Sequence, residues 1–213
     1  MLGLDDYAFA KAFNKAADAL PFSHFYIKPT PRYAKKLRKK NKGKSKERIS
    51  KPYFELNEID NRTALLSVRA FVQDAALMEK LTQEILDKGY ENLIVDMRNN
   101  SGGTLDAPVI LGRFLSNKMI DAGSYINRSW FEEHERYPTT EEISQFPFLE
   151  DMTYKGFQKA AKNSAFRMVL PPHTNPTFQG EVFVLTNNRT ASACEPLVHL
   201  LKEGAVATIV GET

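Results

Sequence analysis

Hydrophobic positions fall into short unbroken runs and helical stripes that take turns along much of the chain. Leu93-Ile94-Val95 and Val182–Leu185 are continuous apolar runs, as expected of strands covered on both faces of a parallel sheet. After the first run comes a glycine-containing turn, then a helical stripe through Val109, Ile110 and Phe114. After the second come small polar residues, then a stripe through Leu197, Leu200 and Leu201. Upstream, Ala64–Phe71 predicts a strand, and Asp74 is placed to cap a helix with Leu77, Leu81 and Ile85 on one face and Gly89 at its end. Strand Val182–Leu185, helix Ala193–Glu203 and strand Ala205–Val210 make another βαβ unit. Pro196 fits the first turn of that helix, and Gly204 is its expected stop. Strands alternating with helices predict an α/β core built from βαβ units.

The pattern is weaker at two places. Near the start, Asp5 or Asp6 is expected to cap a helix with Phe9, Phe13, Ala16 or Ala17, and Leu20 on one face, ended by Pro21. Phe22–Ile27 then reads as a short extended, aromatic-rich stretch whose polar members are Ser23 and His24. From Lys118 to Gln179, Trp130, Phe131, Tyr137, Phe146, Phe148, Tyr154 and Phe157 are scattered among charges and prolines. This stretch reads as an insertion, helical around Tyr154–Ala161, that is either a lid over a cleft or an ordinary peripheral subdomain. The expected organisation is therefore an N-terminal part, residues 1–52, and a core, residues 53–213, carrying the insertion at about 118–179.

Charge changes the picture at one segment only. The net charge of +3 conceals ten Lys or Arg and one acid between Lys35 and Lys51, a local +9 that leaves −6 for the rest. With Gly43, Ser45 and few apolar residues, this reads as a solvated loop. A nucleic-acid arm is the competing interpretation, but no aromatic residues or base-reading motif interleave with the basic ones, so no nucleic-acid partner is expected. The single Cys194 excludes an internal disulfide and the usual zinc clusters, and neither metal nor cofactor is expected. No apolar run approaches a membrane span, and Met1–Leu20 lacks a signal-peptide layout.

Candidate chemistry concentrates at Asn188–Glu195, Asn-Arg-Thr-Ala-Ser-Ala-Cys-Glu, between the second apolar run and its helix. A sharp strand-to-helix corner of small residues presents one hydroxyl, Ser192, where free N–H groups and the helix dipole favour negative charge. Such a corner suits an acyl-transfer nucleophile, whose oxyanion needs donors already in place. It equally suits a plain helix cap.

Three segments together resemble one family. Asp96-Met-Arg98-Asn-Asn100-Ser-Gly102-Gly103 resembles the Asp-Leu-Arg-x-Asn-x-Gly-Gly turn of the tail-specific, or C-terminal processing, serine peptidases, a family that includes the tricorn protease core. Thr190-Ala-Ser-Ala-Cys-Glu195 resembles the family's nucleophile motif, Ser/Thr-Ala-Ser-Ala-Ser/x-Glu, in which the middle Ser attacks. Ala207–Thr213 is similar to the Val-Val-Gly-Glu-x-Thr strand that follows, one residue shorter before its Thr. The resemblance covers about Tyr53–Ser116 and Val182–Thr213. It implies a ClpP/crotonase-like α/β core, a serine-type hydrolase, and a peptide or unfolded protein segment as substrate. The family's PDZ domain has no room between Ile27 and Tyr53.

The resemblance also implies roles. In its tricorn-like branch a Ser-His-Ser-Glu tetrad draws its His from an N-terminal Ser-His pair, which Ser23-His24 matches. His24 is then the general base and acid for Ser192, with Ser23 in the supporting set. The backbone N–H of Ala193, with that of Gly102 or Gly103, is expected to hold the oxyanion. Cys194 stands where relatives often have Ser and reads as a buried small residue. Asp96 and Arg98 read as braces of their turn, and His134, His173 and His199 as structural or surface residues.

The chain stops just after a strand, so the protein is expected to continue past Thr213, with the fourth catalytic residue there and the present segment lacking part of its active site. Two alternatives stand beside the tetrad: a Ser/Lys dyad with its Lys beyond residue 213, and a peptidase-fold binding protein without catalysis. An extracytoplasmic location is expected from resemblance alone, with any export signal upstream of Met1; a cytoplasmic one fits tricorn itself. The pattern fixes no oligomeric state.

Overall fold

The computed structural model describes residues 6–19, 26–27, 52–72 and 74–211. Ser23, His24, most of the aromatic-rich stretch, the basic Lys35–Lys51 segment, and Glu212 and Thr213 lie outside the described residues. Contacts divide the chain into two compact units, Met1–Lys51 and Pro52–Thr213.

In the first unit, helix α1 runs Asp6–Ala17. Its most buried positions are Ala10 and Ala17, seven residues apart on one stripe, whereas Phe9 is half exposed. The covered face is thus rotated from the one that the aromatic residues suggested. Phe9 instead lies against Phe13, with ring centroids 6.4 Å apart. The Asn14 carboxamide pairs with the Ile27 backbone through both its groups, Nδ2 donating to the carbonyl (3.0 Å) and Oδ1 accepting from the N–H (2.7 Å).

The second unit is a mixed α/β domain. Its main sheet has strands β1 (Phe54–Asp60), β2 (Thr63–Val68), β3 (Asn92–Asp96), β6 (Glu181–Thr186) and β7 (Thr208–Gly211), in spatial order β1-β2-β3-β6-β7. The β1–β2 pair is an antiparallel hairpin; the remaining neighbours are parallel. Helix α2 (Ala75–Lys88) links β2 to β3, and helix α7 (Cys194–Glu203) links β6 to β7. Asp74 caps α2 by accepting from the Leu77 N–H, and Gly89 closes it in the left-handed conformation, φ 67°. The core joins Leu66, Val68, Leu93, Val95, Val182 and Val184 of the sheet to Met78, Ile85, Leu197 and Leu201 of the helices. Between β3 and β6, helix α3 (Asp106–Leu115) buries Ala107, Leu111 and Phe114 on the same core.

The remainder of that crossover is more ordered than its sequence suggested. Strands β4 (Ile120–Ile126) and β5 (Ala165–Leu170) form a separate antiparallel pair, interrupted between Asp121 and Ser124. Three short helices lie between them: α4 (Arg128–His134), α5 (Thr140–Gln145) and α6 (Tyr154–Ala160). Each starts on a side-chain cap, from Asn127, Thr139 and Thr153 respectively, and Thr139 with Glu142 closes a full capping box. Tyr125 stacks on Phe166 at 4.9 Å, and Phe157 meets both rings edge-on. Of the scattered aromatics, Phe157 thus joins a cluster and Trp130 packs edge-on against Phe146, whereas Tyr137 and Phe148 are exposed.

Three boundaries differ from expectation. Strand β2 ends at Val68, and Phe71 returns only as an isolated bridge to Gly103. The hairpin strand β1 was not anticipated, because Phe-Glu-Leu-Asn-Glu-Ile-Asp has one buried residue in seven. After α7, Gly204 keeps a right-handed backbone and the positive φ, 50°, falls on Ala205, which delays β7 to Thr208. Among the described residues no helix is long and apolar enough to cross a membrane.

Candidate active site

Two loops meet at the C-terminal ends of β3 and β6, the side of a parallel sheet where crossover loops converge. The first is Met97–Thr104; the second is Asn187–Ala193. Their backbones are cross-stitched. The Thr190 hydroxyl donates to the Met97 carbonyl (2.9 Å) and accepts from the Asn187 N–H (3.0 Å). Asn187 Oδ1 accepts from the N–H groups of Asn99 (2.9 Å) and Arg189 (3.1 Å). The Ala191 N–H donates to the Asn100 carbonyl (3.0 Å).

Asn100 is the hub, and it is fully buried. Its Nδ2 donates to the Val68 carbonyl (3.0 Å) at the end of β2, and its Oδ1 accepts from the Gly102 N–H (2.8 Å). Its own carbonyl also accepts from Cys194 Sγ (3.4 Å). The buried carboxamide, with both ends satisfied, ties the first loop to β2, and the Asn100 carbonyl ties it to the second loop. Sequence reasoning saw Asn100 only as a motif letter. Its side-chain bonds run to residues distant in the chain or to a backbone amide, and neither leaves a periodic trace.

The second loop delivers Ser192 in a left-handed backbone conformation, φ 62°, which is uncommon for a residue with a Cβ and costs of order 1–3 kcal/mol. Two bonds hold it there. The Ser192 N–H donates to Glu195 Oε2 (2.6 Å), and the Ser192 carbonyl accepts from the Glu195 N–H (2.9 Å). Ser192 Oγ bonds to no group among the described residues. Nor does the N–H of Ala193, the residue that opens α7 with no side-chain cap.

Gly102 lies directly against this corner. A Cβ there would stand 2.6 Å from Ser192 Cβ and 2.8 Å from both the Ala191 carbonyl oxygen and the Ala193 nitrogen. The next residue, Gly103, sits in a bridge in which Phe71 donates to Gly102 O (3.0 Å) and Thr104 donates to Phe71 O (2.7 Å). Gly103 therefore turns its own N–H away from Phe71. The two glycines expected to share one role are thus distinguished: the Gly102 N–H is already given to Asn100, and the Gly103 N–H has no partner among the described residues.

Around this centre the remaining candidates have other attachments. Arg98 grips Asp96 through Nε (2.9 Å) and Nη2 (2.8 Å), with its backbone N–H on the same carboxylate. That side-chain pairing holds the Asp96 carboxyl below its ordinary range. A lowered folded-state value means the contribution to stability is complete above the unfolded value of about 4 and fades as pH falls through the folded one. Asp96→Asn should therefore be less stable than the parent at pH 7, by less than about 1 kcal/mol for so exposed a pair, with a lower melting temperature, and the two should converge in acid. Cys194 is fully buried, and burial pushes its thiol up to about 12. It should titrate with a thiol reagent only after denaturation, and labelling of the native protein would contradict this burial. His173 Nε2 lies 3.0 Å from the Ser116 carbonyl, His134 packs on Trp130, and His199 is exposed on α7.

No curated protein matches the chain. Among solved structures, the photosystem II D1 C-terminal processing protease is similar over 76% of this chain and 36% of its own, at 18% identity and a TM-score of 0.51. A lipoprotein from Streptococcus agalactiae is similar over 76% and 49%, at 20% identity and 0.48. CPAF complexed with lactacystin is similar over 70% and 37%, at 19% and 0.45. At 18% identity the likeness to the first of these speaks for the fold alone, and the chain spans between a third and a half of the length of the three proteins. A sequence model of a serine-type peptidase family matches residues 62–213, which takes in both loops, and on that match the chain belongs to Peptidase family S41.

Proposed function

We propose that this chain carries the nucleophile side of a serine peptidase active site, with Ser192 attacking the carbonyl carbon of a peptide bond. The observation that supports it best is the left-handed Ser192 at a strand-to-helix corner, against which only a glycine backbone fits. A serine serving merely as a cap needs no such strain. In the proposed reaction Ser192 Oγ forms a bond to the carbonyl carbon and yields its proton to a general base. The resulting oxyanion accepts from the free N–H groups of Ala193 and Gly103. Collapse of the tetrahedral intermediate breaks the C–N bond, the base returns the proton to the leaving amine, and water then hydrolyses the acyl-enzyme.

His24 is the base in this reading, with Ser23 in support and a further acid expected beyond Thr213, on a ClpP/crotonase-like core. A peptide or unfolded protein segment is the substrate class. The test is labelling by a serine-directed fluorophosphonate of the full-length natural chain, beside Ser192→Ala and His24→Ala. Labelling that needs both residues supports the reading. Labelling that needs Ser192 alone moves the base to a lysine beyond Thr213. No labelling of the unaltered chain overturns catalysis and leaves a binding protein on a peptidase fold.

A further inference from the structure

Between helices α2 and α3 is a cavity of about 320 Å³ that the proposed chemistry leaves unused. Helix α2 contributes Glu79 and Leu86, helix α3 contributes Ile110, Arg113 and Phe114, and His173 and Asn175 line the side that follows β5. The helical rise puts Arg113 about 12 Å along the α3 axis from Leu105, so the cavity is separate from the glycine turn. Its polar groups are unmatched. Arg113 donates to no group among the described residues, and the Glu79 carboxylate accepts from none. The two charges line one space without pairing with each other, which leaves room for a ligand between them. His173 adds a third unmatched group. Its Nε2 lies 3.0 Å from the Ser116 carbonyl, which can only accept, so that nitrogen carries the proton and Nδ1 is an acceptor. Nδ1 is the one buried side-chain polar atom without a partner among the described residues. We propose that this cavity binds a free α-amino acid with an apolar side chain. Its carboxylate meets Arg113, its ammonium the Glu79 side, and its side chain the floor of Leu86, Ile110 and Phe114. The proposal does not depend on Ser192 being the nucleophile.

Charge and size both point this way. A simple anion would be drawn to Arg113 and repelled by Glu79, and a simple cation the reverse; a ligand carrying both signs satisfies the two. Arg113 presents a planar fork that matches a carboxylate, and the acceptors on the opposite side call for a cationic donor. Both charged side chains are exposed, so they keep part of their hydration while an apolar side chain covers the floor. An α-amino acid carries its ammonium and carboxylate on one carbon, whereas each added residue of a peptide moves them apart by up to about 3.5 Å. A cavity of about 150 Å³ holds benzene, so about 320 Å³ holds roughly a dozen non-hydrogen atoms, enough for leucine or phenylalanine and too few for a tripeptide.

The test is a binding measurement that needs no catalysis. The full-length natural chain is titrated calorimetrically with L-leucine, leucinamide, N-acetyl-leucine and glycine. Leucinamide lacks the carboxylate and N-acetyl-leucine the ammonium, and each should bind at least about 5-fold more weakly than leucine. Glycine, which has no side chain for the floor, should bind at least about 10-fold more weakly. Arg113→Gln should bind leucine and leucinamide alike, and Glu79→Gln should bind leucine and N-acetyl-leucine alike. Both side chains are exposed and without partners among the described residues, so neither change should move the melting temperature. In the parent labelled with ¹⁵N-arginine, leucine should shift the Arg113 Nε signal and leave Arg98, which grips Asp96, in place. Equal affinity for all four ligands, a shift at Arg98 in place of Arg113, or no heat with leucine overturns the proposal. A preference for leucine that survives unchanged in both variants also overturns it. Ser192→Ala should bind leucine as the parent does. Leucine binding by a chain that no fluorophosphonate labels supports the cavity while overturning the nucleophile, and labelling without leucine binding does the reverse.

Discussion

Ser192→Ala should lower kcat/KM of the full-length chain by at least about 10³-fold, while leaving its melting temperature nearly unchanged. The two halves of that result have different causes. Activity falls because the only atom removed is the proposed nucleophile, and two neighbouring side chains are poor substitutes: Cys194 is buried with its thiol pushed up to about 12, and the Thr190 hydroxyl donates to the Met97 carbonyl. Stability holds because Oγ bonds to nothing among the described residues and alanine keeps the Cβ that meets Gly102. The bonds that fix the corner, Ser192 N–H to Glu195 and Glu195 N–H to Ser192 O, are made by atoms that the substitution does not touch. A variant that retained more than a tenth of the parent rate with an intact fold would remove Ser192 from the reaction.

The second large effect is expected at Gly102, where no side chain reacts. In Gly102→Ala the new methyl meets Ser192 Cβ at 2.6 Å and the backbone at Ala191 and Ala193 at 2.8 Å, and the residue must also hold φ +91°. Left-handed backbone costs about 1–2 kcal/mol for a residue with a Cβ, and overpacking about 1–3 kcal/mol more. The loops must part by several tenths of an ångström at the point where the proposed reaction needs the Ser192 hydroxyl and the Ala193 and Gly103 N–H groups to converge. A displacement of about 1 Å at such a centre costs near 10²-fold, so fluorophosphonate labelling should slow more than stability alone explains. Thermal melts and labelling rates measured on the same preparation separate the two. Wild-type labelling in a destabilised Gly102→Ala would mean that the close approach serves packing alone.

Which parts of this were legible in the sequence follows from how far each interaction reaches. Strand β3, strand β6, helix α2 with its Asp74 cap, and helix α7 all announce themselves through local periodicity, and each occurs close to where the pattern puts it. The two loops between them were legible as motifs, because small residues and glycines are tolerated at few places in such a pattern. Strand β1 escaped because its residues are mostly exposed, so burial never wrote an alternation into them. Strands β4 and β5 escaped for a different reason: β5 is buried in adjacent pairs at both ends, which leaves no alternation, and in β4 Gly123 and the interruption between Asp121 and Ser124 break the period. Neither the choice between Gly102 and Gly103 nor the role of Asn100 was available at all. Both depend on which carbonyl or carboxamide stands opposite across the fold.

The stitching between the two loops joins residues 88 to 94 positions apart in the chain. Closing a segment of that length forfeits chain entropy that no bond returns until both ends are docked. The hairpin, α2 and β3 come from a continuous stretch, but the corner around Ser192 cannot take its strained form until β6 has settled beside β3. Strands β1, β2 and β3 can therefore pair before the Ser192 corner takes its shape, and the corner forms only once β6 is in place.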